Sequence, residues 1–407
     1  MKNRMIAISL AVLFALLCFG CDKNEQSETE NPGTSASTSS VSDAGSKNDT
    51  QPANDAQAVE NVLFVYMCGS DLETRLGLGG KSIDEMLSVN LGDKLTIVIE
   101  TGGAKKWRSH DIRSDKLQRW EISGGKLKLL ETLDDNSMGD QQTLTDFLSW
   151  GNKKYRSTRR SLVLWNHGGG CMGGVCSDEN HVGDSLRIDE VKGALESAKP
   201  QSKYEIIGFD ACLMASVETA AKVKDYAQFM AASEESEPGG GWDYKAFIQA
   251  LANEPLKNVG KTICDSFMEK SKANGKGSKA TMSVFDLSKT DELISEFDAF
   301  AASLNSALKQ GGKEKISSAA AVSEKFGEDD TNLVDLGDLV SKTDFYDSTK
   351  MDRLLTQFVV CTVSSGRSNK GVSFWFPVSC DDKDIKNYGY ISISAMYLQF
   401  LNAYRNK

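Results

Sequence analysis

His167 and Cys212 are the two residues whose types and settings could do covalent chemistry together. A thiolate attacks a carbonyl carbon. An imidazole beside it takes the thiol proton and hands it to a leaving amine. Each residue follows a short apolar run: Leu162-Val163-Leu164-Trp165-Asn166-His167-Gly168-Gly169 in one case, Ile206-Ile207-Gly208-Phe209-Asp210-Ala211-Cys212 in the other. Such runs read as buried parallel strands, and functional residues gather at the carboxyl ends of parallel strands. If the two strands are neighbours, thiol and imidazole meet at one rim. Leu213 to Val223 reads as a helix, whose positive N-terminal end would favour a thiolate at Cys212. The amides of Gly168 and Cys212 are placed to hold an oxyanion, and glycine lets the chain approach a substrate closely. The chain has 3 histidines. His110 lies in a poorly patterned region and His181 in a polar loop, so His167 is the expected general base.

Asp210 has two readings. It caps the helix that follows, or it faces a cation from a partly desolvated pocket, where a carboxylate pairs well with a guanidinium. Glu234, Glu235, Glu237 and Trp242 either shape a substrate cleft or decorate a solvated loop. Cys171, Cys176, Asp178 and His181 form a compact polar cluster. Zinc favours such ligands, although the spacing matches no standard closed site. A Cys171–Cys176 disulfide and a plain loop are the other readings. Asp329 and Asp330 could bind calcium, but no EF-hand spacing is present.

The elements that must position these groups alternate. Strands are expected at Val62–Met67, Leu95–Ile99, Ser161–Trp165, Tyr204–Phe209 and Phe229–Ser233, with helices at Asp71–Val89, Thr143–Tyr155, Leu186–Ala198 and Leu213–Val223. Trp107 to Leu130 reads as an edge hairpin turning at Gly124-Gly125. Further along, helices are expected at Tyr244–Leu251, Leu256–Lys272, Asp291–Lys309 and Ser394–Tyr404. Thr281–Phe285 and Gly371–Pro377 read as strands. The alternation predicts an α/β fold: a mostly parallel sheet with helices on both faces, followed by C-terminal α/β elements.

Composition excludes some functions. A formal net charge of −10 argues against nucleic acid as a partner, because phosphate binding needs a basic face. At the N-terminus, Lys2 and Arg4 precede an apolar stretch from Ile6 to Phe19 of signal-peptide length. Cys21 after Gly20 resembles a bacterial lipobox, although Cys18 is unusual three places before the cut. Residues 1–20 are thus expected to be a lipoprotein signal, with lipid on Cys21, or else an ordinary secretory signal. Residues 21–57 are polar and lack aliphatic clusters, which predicts a flexible tether. The globular domain is expected over 58–407, with its core at about 58–290. Seven of the 9 cysteines lie beyond Cys21, and an odd number leaves a thiol unpaired in an oxidising compartment.

Four segments carry a family resemblance. They are Trp165-Asn166-His167-Gly168-Gly169, Phe209-Asp210-Ala211-Cys212-Leu213-Met214, Ala232 to Trp242, and Gly371-Val372-Ser373-Phe374-Trp375-Phe376-Pro377. Together they resemble the clostripain family of bacterial cysteine peptidases, in the caspase and gingipain clan. His167 precedes Cys212 by 45 positions, near the spacing of about 50 for caspase-type enzymes. The resemblance spans roughly Asn61 to Tyr404. It implies a caspase-like fold, catalytic roles for His167 and Cys212, and an S1 pocket lined by Asp210, with Glu235 and Trp242 in the cleft. Cleavage after Arg or Lys follows from the same likeness, with no cofactor needed for catalysis. Some relatives require calcium, and some cut their own loop between the paired motifs, for which Arg187, Lys192 or Lys199 would serve. The expected activity is therefore an endopeptidase on protein or peptide substrates, tethered to a membrane by lipid. The alternative is an inactive surface lipoprotein that keeps the fold for binding.

Overall fold

The computed structural model describes residues 56–277, 279–328, 330–367 and 369–405. Nine strands form the main sheet: β1 Asn61–Cys68, β2 Thr96–Gly102, β3 Leu117–Ser123, β4 Lys126–Leu133, β5 Arg159–Trp165, β6 Tyr204–Asp210, β7 Ala227–Ala232, β8 Thr281–Asp286 and β9 Val359–Ser364. Their order is β9-β8-β7-β6-β5-β1-β2-β3-β4. The central five, β2-β1-β5-β6-β7, run parallel. Antiparallel pairs extend the sheet at both ends.

The apolar runs explain the centre. In β1, Val62, Phe64 and Tyr66 enter one core while Leu63, Val65 and Met67 enter the other. A strand with both faces covered has no polar face to show, so its sequence is continuous rather than alternating. On one face lie α1 Ser70–Leu76 and α2 Leu78–Leu87 from the first crossover, with α6 Tyr244–Asn253 and α7 Leu256–Ala273. The other carries α3 Gln141–Lys154, α4 Ile188–Ala198, α5 Val217–Val223 and α8 Thr290–Lys309. The β3–β4 turn is Gly124-Gly125, both at positive φ, as expected for a tight hairpin.

Three expectations change. The helix expected over Asp71–Val89 is two helices, because Gly77 adopts φ 63° between them. The strand expected at Gly371–Pro377 is Ser373–Trp375, and it joins a separate three-stranded sheet with Lys325–Phe326 and Leu333–Asp335. Finally, the main sheet does not close near residue 290. Its edge strand β9 comes from the C-terminal part, and the described residues form one compact unit.

Strand β1 leads to β2 on one side, while β5 lies on its other side. The strand order therefore reverses between β1 and β5. In open parallel sheets, ligands bind outside the carboxyl ends of strands at such a reversal.

Candidate active site

Strands β5 and β6 are neighbours in parallel register, with Trp165 opposite Asp210. His167 and Cys212 each lie two residues beyond that matched pair, so both emerge at the same rim. The two loops touch. A Cβ on Gly168 would stand 2.1 Å from the Cys212 carbonyl oxygen and 3.1 Å from its nitrogen. Only glycine fits there, because the chain runs against the Cys212 backbone. Both side chains border a cavity of about 220 Å³, with Leu72, Leu78, Asp210, Glu237 and Gly239 to Gly241 among its walls.

Asn166 ties the rim together. Its Nδ2 donates to the Cys68 carbonyl at 2.6 Å and to Ser70 Oγ at 2.9 Å. Its Oδ1 accepts from the Ser177 N–H at 2.9 Å. The ends of β1 and β5 and the loop beyond are thus held by one buried amide. His167 is half-exposed, and its Nε2 lies 2.7 Å from Asp71 Oδ1. Partial burial pushes the Asp71 carboxyl up, but hydrogen bonds and charge from His167 and Arg75 outweigh it and hold the carboxyl below its ordinary value.

Cys212 is not at a helix N-terminus. Helix α5 begins at Val217, capped by Ser216, whose Oγ accepts from the Thr219 N–H at 3.1 Å. The residues between are pinned by backbone bonds: Leu213 N to Glu235 O, Ala215 N to Ser233 O, and Ser373 N to Ala215 O. Leu213 adopts φ 69°. Apolar, helix-favouring residues are here bound as irregular chain, so the helix charge does not act at the sulfur as expected. Burial instead pushes the Cys212 thiol above its ordinary value. The N–H of Glu237, 3.2 Å from Sγ, opposes this, as do the N–H groups of Gly168 and Cys212, while the Asp210 charge adds to it. The resting group is a protonated thiol near backbone donors.

Asp210 is not a helix cap. It is buried; Tyr244 Oη donates to Oδ2 at 2.9 Å and the Trp242 N–H to Oδ1 at 3.3 Å. Gly241, at φ 54°, makes room: a Cβ there would sit 2.7 Å from Oδ1. Beside it, both Glu237 carboxylate oxygens are shielded from solvent. They face Asp210 and the Ala211 N–H but make no well-formed hydrogen bond. Burial pushes both acids up. Burial, with Asp210 adding to it, drives Glu237 well above the ordinary range, while Glu237 itself, Tyr244 and the more distant Lys270 temper the effect on Asp210. Lys270 itself donates to Glu85 and to the Trp242 carbonyl.

Two residues expected in the cleft stand elsewhere. Glu235 pairs with Arg367 at 2.8 Å and accepts from the Gly327 N–H at 3.2 Å. Trp242 is 1 % exposed and packs beneath the site, edge-on to Phe247. It contributes its backbone N–H, not a surface ring. Glu237 and Asp71 take the places at the rim. In the sequence Glu237 is one of four loop residues with two open readings. Asp71 carries no local signal, lying 96 positions from His167.

Cys171 and Cys176 are free thiols. Cys171 lies by Glu218 and Ser216, and Cys176 by Asp178 and Cys68. They form no disulfide, and among the described residues no cluster of His, Cys, Asp and Glu is arranged to hold a metal ion. The zinc reading of that loop is set aside. Of the calcium candidates, Asp329 lies outside the described residues, as do the signal segment and Cys21. Arg187 stands exposed at the start of α4, whereas Lys192 is inside that helix. Among the described residues, no helix is long and apolar enough to cross a membrane.

The model of the clostripain family matches residues 65–375. The chain belongs to that family. Clostripain of Hathewaya histolytica is 23 % identical over 221 residues, covering 44 % of this chain and 41 % of that protein. The chain therefore matches less than half the length of that curated relative. A secreted C11 cysteine protease from Bacteroides thetaiotaomicron shares the fold with a TM-score of 0.61 at 21 % identity, over 78 % of this chain and 93 % of that one. An inactive zymogen C11 protease from Parabacteroides distasonis also gives 0.61, at 18 % identity over 84 % and 98 %. The fold is thus the caspase-like α/β fold of these proteases.

Proposed function

We propose that this clostripain-family member is a cysteine endopeptidase that cuts after Arg or Lys, with Cys212 as nucleophile and His167 as general base. One observation carries the reading. The register of β5 and β6 sets thiol and imidazole level at the rim of a cavity that also holds two buried carboxylates, Asp210 and Glu237. Among the described residues, no cation forms an ion pair with either. A guanidinium or ammonium from a substrate side chain would satisfy both acids. The carbonyl that follows that side chain would lie at Cys212.

The chemistry follows from the groups present. His167 takes the Cys212 proton as sulfur attacks the scissile carbonyl. The S–C bond forms, and the oxyanion is held by N–H groups of Gly168 and Cys212. The imidazolium returns the proton to the departing amine, the C–N bond breaks, and a thioester remains. Water, deprotonated by His167, then releases the acid and restores the thiol. Because burial keeps the resting sulfur protonated, the base must act as substrate arrives.

The test uses fluorogenic peptides differing only at P1. Hydrolysis of Arg and Lys peptides, lost in Cys212→Ala and in His167→Ala, supports the reading. Activity surviving in Cys212→Ala would remove the nucleophile. Tight binding of such peptides without turnover would favour an inactive binding protein. The basic, apolar and Cys21 stretches at the N-terminus support export with a lipid anchor. Incorporation of a labelled fatty acid, lost in Cys21→Ala, checks that part.

A further inference from the structure

The Asp71–His167 contact extends that reading of the site. It joins a third strand end to the two that carry the thiol and the imidazole. Strands β1, β5 and β6 are adjacent, with Met67 opposite Trp165 and Trp165 opposite Asp210. Beyond these matched positions come Asp71, His167 and Cys212, in the same spatial order. Carboxylate, imidazole and thiol thus arrive side by side at the strand-order reversal.

The carrier of Asp71 is firmly built. Ser70 adopts φ 43° without being glycine. Its N–H donates to the Gly103 carbonyl at 3.0 Å, and its Oγ receives the Asn166 amide. Gly69 N–H donates to the Gly102 carbonyl at 2.8 Å. One turn along, the buried Glu73 carboxylate accepts from the Gly80 and Arg108 N–H groups at 3.0 and 2.7 Å. A half-exposed ion pair contributes little to folding, so these bonds, not Asp71, hold α1. Asp71 is fixed by its surroundings rather than serving to fix them. The charged groups facing its carboxylate are His167 across the rim and Arg75 on its own helix, 3.6 Å away.

We propose that Asp71 is the positioning residue of this site: its carboxylate holds the proton of His167 on Nε2 and so presents Nδ1 as the base toward the thiol. An imidazole has two distinct ring nitrogens, and the partner of one decides the role of the other. With Nε2–H donating to Asp71, the Nδ1 lone pair is the one free to take the Cys212 proton. The same carboxylate stabilises the charged imidazole formed while the thiol adds. Asp71 touches neither substrate nor sulfur in this scheme.

The inference rests on His167 being the base, and the experiment separates the two. In the full chain, Asp71→Asn and Asp71→Ala are compared with the unaltered protein, His167→Ala and Cys212→Ala, using an Arg-ending peptide. Asp71→Asn should lower kcat roughly 10- to 100-fold with KM nearly unchanged. Its pH profile should change, because the carboxylate facing the imidazole is replaced by a neutral amide. Asp71→Glu should recover part of the loss, and thermal stability should hardly change. With 3 histidines in the chain, 15N NMR of labelled histidine reads the tautomer directly and needs no activity. It should show protonated Nε2 on His167, and a mixture of tautomers in Asp71→Asn. Unchanged kcat and pH profile in Asp71→Asn, or an Nδ1–H tautomer in the unaltered protein, overturns the proposal while leaving Cys212 and His167 in place. Activity surviving in His167→Ala removes the base itself, and the proposal with it.

Discussion

Two sets of buried acids lie at the carboxyl ends of β6 and β7, and the protein treats them differently. Glu235 is met by the charge of Arg367, and one oxygen of Glu234 accepts from the Asn369 amide. They hold the segments around residues 327 and 369 against the sheet. Asp210 and Glu237 share a cavity wall and have each other as nearest charged neighbours, with Tyr244 and backbone N–H groups around Asp210. Burying a charge is costly unless it is paired. Glu235 is compensated within the fold by a guanidinium, whereas Glu234, pushed well above the ordinary range by burial and the neighbouring Asp335, is held by an amide away from the cavity. Among the described residues, the second set has no ion-pair partner and faces a cavity. Buried charge alone therefore does not mark a binding site; uncompensated charge facing a cavity does.

Breaking this comparison should give its largest effect at Asp210. Asp210→Asn keeps the shape but removes the charge; its Oδ1 still accepts from the Trp242 N–H, and its Nδ2 donates to Tyr244 Oη, reversing that bond. Losing one partner of a desolvated pair costs about 4 kcal/mol, so kcat/KM for Arg and Lys peptides should fall roughly a thousandfold. Peptides with a neutral P1 residue should be cut as before, and the melting temperature should hold or rise. An equal loss on neutral and basic peptides would make Asp210 structural.

Glu235 should show the reverse. Glu235→Gln leaves the 17 %-exposed Arg367 side chain with Glu324 at 3.2 Å as its remaining ion-pair partner, beside the Lys325 carbonyl at 3.1 Å. Breaking a buried pair commonly costs about 3–5 kcal/mol; with Glu324 retained, about 2 kcal/mol of stability should be lost. Denaturant unfolding measures it. KM for basic peptides should stay the same, and a raised KM would return Glu235 to the cleft.

What the sequence revealed follows the same physics. The strands carrying His167 and Cys212 were legible because both of their faces are buried, which writes a continuous apolar run. Asp210 was visible through its place two residues before the cysteine. Asp71 was not, since nothing local marks an aspartate that meets a histidine through strand pairing. Leu213, Met214 and Ala215 misled because helix-favouring residues are held there by bonds to Ser233, Glu235 and Ser373, a tertiary override of local preference. Glu235 and Glu237 looked alike because composition cannot say which of two nearby acids turns toward a cavity and which toward Arg367. Strand β9 escaped because, at the sheet edge, its pattern is half-exposed and its partner β8 lies far back in the chain.

The smallest effect, and the sharpest contrast, belongs to Glu237. Its carboxyl sits well above the ordinary range because of burial, Asp210 and Cys212. The folded state therefore binds a proton more tightly than the unfolded chain does. That preference favours the fold below the ordinary carboxylate range and is lost as pH rises through the raised value. Glu237→Gln removes this titration. The variant should match the parent in acid and become more stable than it as pH rises through the raised value. Binding should show the opposite trend. A cationic P1 side chain needs the pair ionised, so KM of the parent for Arg peptides should fall with rising pH. In Glu237→Gln that slope should flatten and KM rise about tenfold. Parallel unfolding and KM measurements from acid to mildly alkaline pH follow both trends. A Glu237→Gln protein with unchanged KM and less stability at every pH would place Glu237 with Glu235, among the acids that hold the fold.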